Sequence, residues 1–483
     1  MQFEKLIHRG IKILCTNPQI LESYPEIAQM VVQKLSQYVI LKFVEPQNNI
    51  KESFYMINYS KLSYQLKREI KKFTNKITLG LSRPKYKLVF QMLYGMLESQ
   101  STHLSNISRA LKENITLKKT IDRLSRNLSQ FTENDIIIEN YMDVVKKNTN
   151  ELSVLIIDNS DISKPYSEML DSLCEVRDGS TGEITTGYHL LEITALTKEH
   201  KMPMPVYTRV YSSTENEFIS EDEEVLNGLK HLTAHFGKVG VRTMDRGYDT
   251  RIYYKYFLKH NENFIIRAKK NRTIIYKGKS INILELANRF KGKYSMKFEG
   301  KDGKRINCKI SYIPISLPIA PKKELTLAVV HGFGELPMML ISSLKSTDKR
   351  LSVIITKIYL MRWKIEEYYR FKKQQFGFED FRVQSLISIR ALNTLLTVLI
   401  GLLSTFSEKQ NDNKMVMKII ECSKRIYEKP KFIYYALGDG IFNILQKTRK
   451  GIAAFLVPKK LPPSQQLNMF ELFGIKADSC FGY

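Results

Sequence analysis

The sequence predicts an α/β protein in which a strand-and-helix core is flanked by helical regions and interrupted by a β-rich segment. Three observations carry this. The apolar spacing changes from helical to strand-like near residue 150. Strand character returns at MMLISSL after a stretch of short, Gly- and Lys-punctuated strands. A long helical pattern then fills 347–376, and helices continue over about 385–450.

At 483 residues the chain exceeds one ordinary domain, and its 43% hydrophobic content is enough for sizeable cores rather than wholesale disorder. Charge is the unusual quantity. Seventy-five Lys and Arg against 49 Asp and Glu give +26. Such a surplus suits a polyanionic partner, because each neutralised phosphate releases a condensed counterion; a solvated basic surface gives the same composition. The basic residues occur in every segment, so no single tail accounts for them. Cys15, Cys174, Cys308, Cys422 and Cys480 form no CxxC pair, which argues against a structural zinc site or disulfide framework and fits a reducing cytoplasm. The start MQFEKLIHRGIKIL has no signal-peptide cleavage pattern. The apolar run Leu392–Leu403 is short for a bilayer and reads as a buried helix. The expectation is a soluble cytoplasmic, nucleoid-associated protein with no membrane partner.

Residues 1–145 read as a helical, basic domain. LSRPKYKLVFQMLYGMLESQ has helical spacing behind an early Pro. THLSNISRALKE and LKKTIDRLSRNLSQF are two short basic amphipathic helices separated by Asn114–Thr116. They read as a helix-turn-helix offering Arg109, Lys112 and Arg123, with Lys118, Lys119 and Arg126, to DNA ends; a plain helical bundle with charged outer faces is the competing interpretation.

Residues 150–270 and 336–380 read as the core. LSVLIID is an apolar run ending on Asp158; GYHLLEITAL and MPVYTRVYS are β-rich; SEDEEVLNGLKHLTAHF is a helix with an acidic first turn suited to the helix dipole. KVGVRTMD is a strand ending on Asp245, TRIYYKYFLKH a helix, NFIIRAKK a strand. The order β-β-β-α-β-α-β, with acids closing two strands, is what a ribonuclease-H-like fold produces. Residues 271–335 read as a β-rich insertion, 385–455 as a helical C-terminal region, and 456–483, with Pro458, Pro462 and Pro463, as an extended tail.

The chemistry concentrates on the helix DKRLSVIITKIYLMRWKIEEYYRFKKQQFGFE. At about 100° per residue from Tyr359, Arg362 falls at about −60°, Glu366 at about −20° and Lys373 at about −40°. One stripe therefore holds a phenol, a guanidinium, a carboxylate and an ammonium. Ile358, Met361, Ile365, Tyr369 and Phe376 cluster opposite and are expected to face the core. Phosphodiester chemistry needs two divalent ions about 4 Å apart, and Mg2+, a hard ion, prefers carboxylate oxygens. Asp158, Asp245 and Glu366, brought together from two strands and a helix, meet that need. Taken alone, a strand-end Asp is more often a turn former or cap; the helix stripe changes the balance. Asp161 rivals Asp158 but is expected in the following turn, and Glu367 falls about 80° off the stripe. Asp249 reads as the N-cap of TRIYYKYFLKH.

Tyr359-x2-Arg362-x3-Glu366-x6-Lys373, within YLMRWKIEEYYRFKKQQFGFEDFR, resembles the Y-R-E-K signature of the insertion-sequence-four transposases. SVLIIDNSDISK is similar to the first-Asp block of that family and VRTMDRGYDTRIYYKYF to its second; the resemblance covers roughly residues 80–400. It implies a ribonuclease-H-like catalytic domain with a β-rich insertion before the Glu, and cut-and-paste transposition by cleavage at transposon ends and 3′-hydroxyl strand transfer. It further implies that Asp158, Asp245 and Glu366 bind two Mg2+ ions, with Mn2+ as a substitute, and that Tyr359, Arg362 and Lys373 hold phosphates. Arg246, Lys164, Arg267, Lys269 and Arg272 are weaker phosphate candidates. The expected partners are double-stranded DNA, as terminal inverted repeats and target, and a second copy of the chain in the DNA complex. Some relatives stack a flipped base on an insertion Trp. The single Trp here, Trp363, lies in the signature helix, and Phe290, Tyr294 and Phe298 are substitutes of equal standing. In the tail, Gln466-Leu467-Asn468-Met469-Phe470 resembles the short peptide that binds the bacterial sliding clamp. The alternatives are another ribonuclease-H-like nuclease and a non-catalytic DNA-binding descendant of a transposase.

Overall fold

The computed structural model describes residues 58–150, 153–179, 181–299, 305–345, 348–423, 432–448 and 451–456. The clamp-like peptide Gln466–Phe470, Cys15, Cys480 and the first 57 residues of the basic domain lie outside the described residues.

Among the described residues five helices come first: α1 (Tyr59–Ile77), α2 (Arg83–Ser99), α3 (Leu104–Leu111), α4 (Leu117–Ser129) and α5 (Asn134–Asn148). Pro84 opens α2, where its missing N–H costs nothing. α3 and α4 are the two short basic helices expected on either side of Asn114–Thr116. Lys112, at φ 50°, ends α3 in the left-handed conformation usually given to glycine, and the Thr116 hydroxyl caps α4 by accepting from the Lys119 N–H.

The core follows in the order β1 (Val154–Ser163), β2 (Cys174–Arg177), β3 (Ile184–Leu196), β4 (Pro203–Tyr211), α6 (Glu221–Phe236), β5 (Val241–Met244), α7 (Arg251–His260) and β6 (Phe264–Arg267). β1 pairs antiparallel with β3 and parallel with β5; β3 pairs antiparallel with β4, and β5 parallel with β6. Three antiparallel strands continued by two parallel ones across helical crossovers make this a ribonuclease-H-like core. The short edge strand β2, which pairs with the start of β3, has too little apolar pattern to be read from sequence.

The inserted segment comprises β7 (Thr273–Tyr276), β8 (Lys279–Asn282), α8 (Ile283–Asn288), β9 (Tyr294–Glu299), β10 (Arg305–Leu317) and β11 (Ala320–His331). It is β-rich as expected, yet it shares the sheet of the core. β12 (Met338–Ser342) pairs with both β6 and β11, so one twelve-stranded sheet runs through both regions. The physical reason is that β6 would otherwise expose an unpaired row of backbone groups, which β12 satisfies.

After β12 come α9 (Leu351–Leu360), a 3-10 turn at Met361–Trp363, α10 (Lys364–Phe376), α11 (Leu386–Glu408), α12 (Lys414–Glu421), α13 (Tyr434–Gln446) and α14 (Ala453–Leu456). The single helix expected over 347–376 is thus divided. α11 has 23 residues, and its most apolar window is 89% buried: by length and composition it could cross a membrane, but it is packed as a core helix against β4, α5 and α13. Gly187 in β3 faces Ser163 of β1, and a Cβ there would lie 2.0 Å from the Ile162 carbonyl oxygen. Gly187→Ala is therefore expected to cost on the order of 2–3 kcal/mol, read as a lowered urea midpoint at unchanged slope.

Candidate active site

Asp158 does not end its strand. β1 continues to Ser163, and Asp158 and Asp161 both lie inside it, opposite Glu192 and His189 of β3. The expectation that Asp161 falls in a turn is corrected: its oxygen pairs with His189 at 3.1 Å. Strand alternation puts the two acids on opposite faces, which is what separates them. Strand termination still applies to the neighbour. β1–β5 pairing stops at Ile156↔Thr243, so Asp158 stands where β1 has lost its parallel partner. Asp245 immediately follows β5 and falls level with Asp158 in that register. Its side chain is steadied by the Gly247 N–H, 2.6 Å away.

Glu366 arrives from the first turn of α10. Arg362, in the preceding 3-10 turn, lies between the carboxylates, with Nη1 3.6 Å from Asp158 Oδ2 and Nη2 3.6 Å from Glu366 Oε1. Glu367 pairs instead with Arg370 on the outer side. Burial pushes the Asp158 carboxyl up to about 7; Arg362 opposes this, while the charges of Asp245 and Glu366 add to it. All three acids thus share one electrostatic site.

An oxygen-only donor set, in which the charges of Asp245 and Glu366 raise the proton affinity of Asp158 while Arg362 lowers it, is the chemistry that suits a hard divalent cation. The donor atoms of the three carboxylates do not all lie within 4.8 Å of one another. Among the described residues, the cluster whose donor atoms all lie within 4.8 Å of one another is elsewhere, at Glu139, His231 and His235.

The remaining expected residues divide into open and occupied. Arg246 is exposed beside Asp245, and Arg109 is exposed with Asn106 as its neighbour. Lys373 is bonded to the Asp161 carbonyl at 3.0 Å and to Glu379 at 2.7 Å. Lys112 pairs with buried Glu98, and Arg123 with Glu113 and Gln91, so both tie helices together. Lys164 lies inside, against the Phe381 ring and carbonyl. Arg272 pairs with Asp249, whereas Arg267 is half-buried and Lys269 exposed. Asp249 is not the N-cap; Thr250 occupies that position, and buried Asp249 accepts from Tyr254, the Lys269 N–H and Arg272.

The signature stripe is also reshaped. Tyr359 is 2% exposed, at the floor beneath Arg362, while Ile358 and Met361, expected in the core, are half-buried. Beyond the turn, Ile365, Tyr369 and Phe376 are buried as expected, and Tyr368 and Lys372 face inward beside them. Trp363 packs edge-on against Phe333, and Phe290 against Tyr276.

Three supporting residues escaped the sequence reading. The Tyr369 hydroxyl donates to the Asp158 carbonyl at 2.9 Å. Tyr248 is buried next to Asp158 and Asp245, whose charges push its phenol up further than burial alone does. Glu192, opposite Asp158, binds Lys372 and Tyr368 of α10. The pattern MDRGYD held a signal for Tyr248, but Glu192 sits in an apolar strand with nothing to distinguish it.

The strand topology and this group of acids make the fold ribonuclease-H-like. Residues 149–402, more than half of its length, match the family model described as "Transposase DDE domain", and the protein belongs to that family. Among solved structures, a piggyBac transposase in a synaptic complex with hairpin DNA aligns with a TM-score of 0.42 at 11% identity, covering 84% of this chain and 86% of that one. The NurA nuclease from Sulfolobus solfataricus aligns at 0.22 and 11% identity, covering 50% and 83%. None of the curated proteins matches the sequence significantly.

Proposed function

We propose that this transposase moves an insertion sequence of the insertion-sequence-four type by cut and paste, cleaving at the element's ends and joining the freed 3′-hydroxyl to target DNA. The observation that carries the reading is the electrostatic coupling of Asp158, Asp245 and Glu366 around Arg362.

In this reading the three carboxylates hold Mg2+, or Mn2+ in its place. The chemistry such ions supply when bound is activation of water at neutral pH and stabilisation of the leaving oxygen. The protein's own residues do the rest. Tyr369 fixes the backbone at Asp158, and the Gly247 N–H orients Asp245. Arg362 carries its charge beside the carboxylates, where its fork can grip a phosphate bidentately. Exposed Arg246 adds a cation beside Asp245, and +26 overall suits double-stranded DNA. Concerted joining of two ends calls for two copies in the DNA complex.

The test uses the purified chain and linear DNA carrying the sequences that flank its gene. Mg2+-dependent nicking at a fixed position is expected, with loss of at least about 10²-fold in Glu366→Ala and Asp245→Ala. Nicking that persists in both variants, or that ignores EDTA, would overturn the reading.

A further inference from the structure

Away from the acidic cleft, helices α5 and α6 bring three ligand-type side chains together. His231 and His235 lie one turn apart on α6, on the same face. Glu139 of α5 reaches both, with Oε1 3.4 Å from His231 Nδ1 and Oε2 2.9 Å from His235 Nε2. The two imidazole rings are 4.5 Å apart between centroids, and Tyr207 braces His231 at 5.2 Å. The histidines are largely buried, at 12% and 14% side-chain exposure, whereas Glu139 is 55% exposed and leaves a way in from solvent. Asp135, one turn before Glu139 on α5, lines a cavity of about 160 Å³ with Glu139 and His231.

We infer that Glu139, His231 and His235 form a second metal site, selective for a borderline transition ion of the Zn2+ class and distinct from the carboxylate cleft. Ligands of a tetrahedral Zn2+ at about 2.0–2.1 Å stand roughly 3.3 Å from one another, and the carboxylate–imidazole separations straddle that value. Two imidazoles and one carboxylate suit Zn2+, Co2+ or Ni2+, whereas Mg2+ prefers oxygen donors alone. The cavity leaves room for a water or the Asp135 carboxylate as fourth ligand. The position gives the site a structural use. α5 leads directly into β1, which carries Asp158, and α6 leads into β5, which is followed by Asp245. An ion between them would clamp the two helices that set those strands.

The probe is Co2+ or Zn2+ added to the full chain after treatment with EDTA. One equivalent of Co2+ is expected to bind with a visible absorption of four-coordinate type, and Zn2+ is expected to displace it and raise the thermal midpoint. Glu139→Gln should weaken Zn2+ binding at least tenfold and His235→Asn about a hundredfold, while Asp158→Asn/Asp245→Asn leaves it unchanged. Glu139 is exposed, so its variant keeps the test valid if the histidine variant fails to fold. Absence of binding at 10-micromolar-scale ion, about the level of adventitious surface histidines, would overturn the inference. So would binding that survives Glu139→Gln, or that disappears only when the acidic cleft is altered.

Discussion

Asp158→Asn is expected to abolish strand cleavage, by at least about 10³-fold, while making the metal-free protein more stable. The two effects have one cause. The carboxyl is displaced from 3.8 to about 7, by burial first and by Asp245 and Glu366 in addition, even with Arg362 opposing. A displacement of that size corresponds to on the order of 4 kcal/mol. Because the side chain retains 18% exposure, about 2 kcal/mol is the expected gain from removing the charge. The sign follows from proton linkage. The folded state holds this proton more tightly than the unfolded chain, so ionised Asp158 opposes folding fully above pH 7. That opposition fades as pH falls towards 3.8. The thermal midpoint of Asp158→Asn should therefore exceed that of wild type by a few degrees at pH 8 in EDTA, and the difference should shrink to nothing near pH 4. Mg2+ should raise the wild-type midpoint and leave the variant's nearly unmoved. A variant less stable than wild type at pH 8 in EDTA would show that the carboxylates are not in mutual repulsion.

Lys372→Met is expected to cost about 3–5 kcal/mol, the largest stability loss among single substitutions in the signature helix. Lys372 and Glu192 are both fully buried. The ammonium donates to Glu192, to Asn393 at 2.6 Å and to Thr397 at 3.0 Å. Glu192 also accepts from Thr208 at 2.8 Å and Tyr368 at 3.2 Å, so every charge in the group is answered. Removing the lysine leaves the carboxylate buried and unpaired, which is worse than losing the pair as a whole. Glu192→Leu/Lys372→Met should therefore recover most of the urea midpoint lost by Lys372→Met alone. Additive losses in that double variant would show that the two charges are not coupled. The network also has a positional consequence. It joins β3, opposite Asp158, to α10, which carries Glu366, so Lys372→Met should lower cleavage even at temperatures where the variant is folded.

How much of this was legible beforehand depended on whether a residue's partner lay nearby in sequence. Asp158 and Asp245 follow apolar runs, and Glu366 was chosen over Glu367 by helical phase; those patterns are local. The strands, crossover helices and basic helix pair were readable for the same reason. The burial of a charged Lys372 was not, because the acid that answers it, Glu192, lies 180 residues away in the chain. Asp249 looked like a cap because Thr250 begins a helical pattern; two of its three partners, Lys269 and Arg272, are 20 and 23 residues away.

The sequence by itself determined the α/β class, the acids and their order, because hydrophobic period and residue chemistry are written along the chain. Tertiary structure decided which cations are open to a ligand and which are occupied within the fold, as Lys112, Arg123 and Lys164 show. It also decided that the insertion continues the core sheet and that Glu139 meets two histidines of another helix. These are pairings across space, set by which edges and charges must be satisfied once the chain is compact.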